Sequence, residues 1–149
     1  MGLLDCFRSD AFFLERLSSA DPGIQSGAMN VLVRRQNSHI AERLRLLLTD
    51  SRSQVRANAA GTLGLCGGEQ DVPTLGRLLV DDDWFVRAMA ASGLGYLAST
   101  DVGLGTDAGR RALLLLSPCL ADESDAVRSA ARIAMDSVRE FAGESNLQN

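Results

Sequence analysis

Apolar residues recur along this chain at helical spacing. Val55, Ala59 and Leu63 stand four apart, as do Val86, Ala90 and Leu94, then Val127, Ala131 and Met135. Steps of four keep returning to one face of a helix with about 3.6 residues per turn, so each set predicts a buried stripe. Ahead of these, and of a weaker copy at Ile24, Ala28 and Leu32, stand the pairs Phe13/Leu17, Leu44/Leu48, Leu75/Leu79 and Leu116/Leu120. They predict a preceding helix that faces the same core. Start signals agree: Asp21-Pro22 reads as an N-cap followed by proline at the first helical position, and Ser53 and Asp83 are candidate caps. Gly67-Gly68 predicts a left-handed helix end, and Pro118 should end its helix near Ser117.

The stripes belong to a longer repeat. Leu48, Leu79 and Leu120 fall seven residues before the stripe valine, Asp50, Asp81 and Asp122 five before it, and Arg56, Arg87 and Arg128 one after it. From Val55 to Val86 is 31 residues and from Val86 to Val127 is 41. The longer interval holds a glycine-rich insertion at 99–107, and loops on a rigid scaffold often carry contacts. The expected layout is one domain over 10–142, with units at about 10–36, 38–67, 70–99 and 107–141, a leader at 1–9 and a disordered tail at 143–149. Ala59, Ala60, Gly61 and Gly64 recur as Ala90, Ala91, Gly93 and Gly95. Glycine inside a helix costs roughly 1 kcal/mol against alanine, so this concentration predicts a close approach of neighbouring second helices. A lone helix pair cannot bury both its faces, whereas stacked pairs can.

The unit Leu-x-Asp-x4-Val-Arg-x2-Ala-Ala-x2-Leu-Gly resembles the HEAT repeat, in the short form of about thirty residues found in phycobilisome-lyase-like proteins, over residues 10–141. The resemblance implies an all-α fold, a right-handed α-α superhelix of about four helix pairs. It implies that Asp50, Asp81 and Asp122 with Arg56, Arg87 and Arg128 form a polar ladder between adjacent units. The first unit departs from the pattern with Ser19 and Gln25, and the last carries Arg132 where its counterparts have Ala60 and Ala91, both as in capping repeats. The second helices are implied to line the concave side, which makes Asn58, Leu65, Met89, Ser92 and Tyr96 candidate partner contacts. Tyr96 is the only tyrosine, and aromatics carry a large share of interface energy. Trp84 is a further candidate, as a contact or as a cover over the seam between units.

Composition narrows the chemistry. The chain of 149 residues carries net charge −4, and all 15 of its basic residues are arginine. Without lysine there is no Schiff base and no P-loop lysine. A single histidine, His39, gives too few ligands for the di-iron site of deoxyhypusine hydroxylases and has no nucleophile spaced to it. Gly103-Leu104-Gly105 brushes against a dinucleotide pattern but lacks the preceding strand. Asp81-Asp82-Asp83 reads as a turn and cap rather than a cation site. No catalytic residue, cofactor or metal ligand is therefore expected.

Cys6, Cys66 and Cys119, odd in number and far apart, suit reduced thiols in the cytoplasm. The longest apolar run, Ala112 to Leu116, is far too short to span a membrane. The start Met1-Gly2-Leu3-Leu4-Asp5-Cys6 approaches the myristoylation pattern with Cys where Ser or Thr is usual. Charge is uneven. Residues 24–58 hold six arginines against Glu42 and Asp50, while 69–107 hold seven acidic residues against Arg77 and Arg87. Such polarity could steer a charged partner or self-association. The expected function is a non-catalytic scaffold or adaptor binding another protein. A bilin or phycobiliprotein lyase is the alternative that the resemblance implies, and the acidic balance disfavours a third reading, nucleic-acid binding.

Overall fold

The computed structural model describes residues 9–35, 38–99 and 107–146. Among them are eight α-helices and no strand. First helices α1 (Asp10–Arg16), α3 (Ser38–Leu47), α5 (Val72–Arg77) and α7 (Asp107–Leu116) alternate with second helices α2 (Pro22–Arg35), α4 (Ser53–Cys66), α6 (Trp84–Ser99) and α8 (Asp125–Asn146). Each first helix packs on its own second helix, and the second helices pack on one another in chain order. Four helix pairs thus stack into an all-α solenoid whose core runs its length.

That core is the predicted stripe. Leu17, Leu32, Leu44, Leu63, Leu75, Leu94 and Leu116 have no exposed surface, and Val55, Val86 and Val127 are buried beside them. Burial of one such side chain contributes roughly 1.5–3 kcal/mol. Two expected core residues lie elsewhere. Leu120 is 40% exposed, because the chain after Leu116 tightens into a 3-10 segment, Ser117–Ala121, with Pro118 in its first turn. The change of pitch turns Cys119 inward in its place. Ile24 is 45% exposed; it sits in the first turn of α2, and among the described residues no helix pair covers its outer side.

The helix ends show which signals act. Asp21 caps α2, its Oδ1 accepting from the N–H groups of Gly23 at 2.7 Å and Ile24 at 3.3 Å. Asp83 caps α6 through the N–H of Phe85 at 2.8 Å. Ser53 does not cap α4: it is the first helical residue, and it helps to hold the Asp83 carboxyl of the next unit below its ordinary range. Gly67 is not left-handed either, with φ −79° and ψ −166°. Space requires glycine there, since a Cβ would stand 2.5 Å from the Leu63 carbonyl oxygen and 2.7 Å from Asp71 Oδ2.

Close approach of the second helices is the rule in the middle of the stack. A Cβ on Gly64 would lie 2.3 Å from the Cα of Gly93, and one on Gly95 would lie 2.6 Å from the Cβ of Ala134. Helix α8 continues to Asn146, past the residue at which a tail was expected to begin. The leader with its Met1–Cys6 pattern, the centre of the insertion at 100–106 and residues 147–149 lie outside the described residues.

Candidate functional site

Arginines of the second helices tie each unit to the next. Arg56 sends Nε and Nη2 to the two carboxylate oxygens of Asp81, each at 2.9 Å, while its Nη1 donates to the carbonyl of Asp50 at 2.8 Å. Arg87 repeats this one unit on, with Asp122 at 2.9 and 3.0 Å and the Asp81 carbonyl at 2.9 Å. The planar guanidinium suits a fork on one side and a carbonyl on the other, which an ammonium could not hold. At the ends the ladder is open. Gln25 donates to the Ser19 carbonyl and offers no charge, so the Asp50 carboxylate pairs with Arg52 instead, at 2.9 Å. Arg128 keeps the Asp122 and Glu123 carbonyls and turns to Asp125.

Protonation follows from these contacts. The guanidinium of Arg56 holds the Asp81 carboxyl below its ordinary range, and that of Arg87 does the same to Asp122. Hydrogen bonds from the Arg52 side chain and backbone lower Asp50 to about 2. Burial pushes Cys66 up to about 11, with Asp71 adding to it, and burial also raises Cys119. Both thiols are therefore poor nucleophiles at neutral pH.

The candidate contact residues do not form one surface. Asn58 is 4% exposed, and its amide donates to the carbonyl of Leu17 at 2.8 Å, the residue that ends α1. It joins units one and two and is withdrawn from contact, a role its polar character alone could not distinguish from an exposed one. Met89 lies partly buried against Gly61. Ser92 and Tyr96 border a groove between α6 and α8, faced across it by Ala130 and Ile133. Tyr96 is 50% and Ile133 65% exposed. Leu65, on α4 at the repeat position matching Tyr96, is 36% exposed. Trp84, half exposed, stands apart at the start of α6 beside Glu123 and Asp125, and touches Phe85 edge-on.

The model of the HEAT-repeat family matches residues 11–95. The chain belongs to the HEAT-repeat family. None of the curated proteins matches the sequence. Among solved structures, the complex of CpcE and CpcF of phycocyanin lyase from Nostoc sp. PCC7120 is similar with a TM-score of 0.76 and 21% identity, over 88% of this chain and 78% of that one. Human deoxyhypusine hydroxylase in complex with glycerol is similar with a TM-score of 0.64 and 23% identity, over 89% of this chain and 44% of the other. An engineered protein is similar with a TM-score of 0.56 and 22% identity, over 89% of this chain and 63% of that one. At these identities the likeness establishes the fold.

Other polar links in this HEAT-repeat chain carried no sequence signal. Asp71 is buried, with its carboxylate gripped by Arg45 at 2.6 and 3.1 Å and by the N–H of Gly68 at 3.0 Å. Arg35 reaches Asp10 at 2.6 Å. Neither pair recurs from unit to unit; thirty-one residues before Asp71 stands the apolar Ile40. These contacts also change the reading of charge. Arg45 and Arg56 of the basic stretch pair with Asp71 and Asp81 of the acidic one, so part of the separation along the chain is closed in space. Among the described residues no group of three His, Cys, Asp or Glu is placed to hold a metal ion, and no helix is long and apolar enough to cross a membrane.

Proposed function

We propose that this HEAT-repeat chain is a non-catalytic scaffold that binds another protein along its second-helix face. The observation that carries the reading is the α6–α8 groove, with Tyr96 on one wall and Ile133 on the other, both exposed on rigid and tightly packed helices. A large aromatic and a β-branched residue held on a stiff surface suit an interface anchor, because little side-chain freedom is lost on binding. Leu65 and Ser92 extend the surface, while Met89 packs against Gly61 of α4. Trp84 belongs to a separate edge. No bond is made or broken: the solenoid presents a preformed surface, in a reducing cytoplasm where Cys66 and Cys119 stay thiols.

Affinity capture from the native cell tests this with wild type beside Tyr96→Asp and Ile133→Asp. Both variants change exposed positions and are expected to keep the helical far-ultraviolet spectrum while losing the captured protein at least tenfold. Equal recovery by folded variants would falsify the assignment of this face. The likeness to a phycocyanin lyase motivates one further arm, coexpression with a phycobiliprotein and a bilin. A covalent, visibly absorbing adduct that depends on this chain would replace the scaffold reading with a lyase. Retention on nucleic acid that weakens steeply with salt would replace it with the third reading.

A further inference from the structure

We propose that two copies of this chain pair about a two-fold axis through the first-helix side of units three and four, away from the Tyr96 groove. Between α5 and α7 runs an open, mostly apolar groove of about 480 Å³, lined by Val72, Pro73, Leu114 and Leu115 together with Arg77 and Arg111. Leu114 is 74% exposed, more than almost any other large apolar side chain described. Neither arginine has a carboxylate within ion-pair distance among the described residues, although eight other such pairs form there. An apolar groove with two guanidinium groups that form no ion pair among the described residues fits a segment that is itself apolar and acidic.

The chain carries such a segment next to the groove. Helix α5 runs through the 3-10 turn Leu78–Val80 into Asp81-Asp82-Asp83-Trp84. Val80 is 83% and Trp84 51% exposed. Asp81 is taken by Arg56 and Asp83 caps α6, which leaves the exposed Asp82 carboxylate with no ion pair among the described residues. A basic, apolar groove therefore adjoins an acidic, apolar-tipped turn. Two adjoining patches of complementary chemistry are self-complementary under a two-fold rotation, so each copy's groove takes the other's turn and both contacts close together. In the pair Asp82 faces Arg77 and Arg111, and Val80 and Trp84 cover Leu114. The α6–α8 groove stays open, so this pairing stands or falls independently of the scaffold reading.

Sedimentation equilibrium at low salt, over a rising protein concentration, reads the mass directly. Wild type is expected to pass from 15.9 kDa to twice that mass. R77E/R111E and D82R should each stay monomeric at concentrations where wild type is paired, with melting temperatures close to wild type. Mixing the two variants should restore the dimer, because one groove–turn contact then has both charges reversed and the other is native. Leu114→Asp should also stay monomeric. The proposal is overturned by a wild type that never exceeds monomer mass, by a dimer that survives all three variants, or by folded variants that fail to restore each other. Growth beyond the dimer would overturn the two-fold geometry.

Discussion

Arg87 is 7% exposed, and its guanidinium faces two carboxylates across a unit boundary and two carbonyls of its own unit. A charge so enclosed is held by those partners, and a bond to it contributes roughly 1.5–3 kcal/mol. The sign of its pH dependence follows. Asp81 and Asp122 have carboxyls held below their ordinary range by Arg56 and Arg87. Their contribution is complete above the unfolded carboxyl's pKa of about 3.9 and is lost as pH falls through the lower folded value. The melting temperature of wild type should therefore drop as pH falls below about 4. D81N/D122N should melt lower at neutral pH and lose part of that acid slope, as a thermal scan in calorimetry would show. A parallel slope in the variant would mean that other carboxylates govern acid unfolding. The ladder's residues were legible because Asp and Arg recur at fixed offsets, whereas Asp71 and Arg45 were not, since that pair occurs once.

At the scale of the helix, two glycines separate propensity from packing. Gly27 and Gly64 both lie inside second helices, and by propensity alone alanine should improve either. A Cβ on Gly27 would meet nothing within 4 Å, while one on Gly64 would stand 2.3 Å from the Gly93 Cα in the neighbouring helix. Gly27→Ala is expected to stabilise the chain by about 0.5–1 kcal/mol. Gly64→Ala should destabilise it by roughly 1–3 kcal/mol, because α4 and α6 must part. Urea unfolding of the two variants, read by far-ultraviolet ellipticity, tests both signs. Recurrence in the sequence pointed to Gly64 and Gly93, and their contact needed the third dimension. The same holds for Gly67: glycine at the helix end was readable, but a crowded carbonyl and carboxylate, not a left-handed turn, set the requirement.

Across the whole molecule, stability passes from unit to unit, so the interior pairs carry the most. Leu63 and Leu94 have no exposed surface, and Leu63→Ala or Leu94→Ala should cost roughly 2–5 kcal/mol. That is a large part of the roughly 5–15 kcal/mol typical of a domain. Unchanged melting in either variant would place those positions outside the core. The candidate faces divide differently. Asn58 and Tyr96 read alike along the chain as positions off the stripe, yet one is consumed by the Leu17 carbonyl and the other stands half exposed.

Period and offset are one-dimensional quantities, and the sequence by itself determined whatever depends on them: helices in pairs, the buried stripe, the repeat, and an Asp and an Arg in every interior unit. The tertiary structure decided what depends on distance between units. It set which carboxylate each arginine reaches, how Arg45 and Arg56 of the basic stretch come to pair with the acidic one, and which small residues touch. It also left Arg77 and Arg111 beside an open groove with no ion pair among the described residues. Contacts between stacked helices depend on rotation and rise accumulated over thirty or more residues. A difference of one in pitch, as at Pro118, is enough to exchange Leu120 for Cys119 in the core.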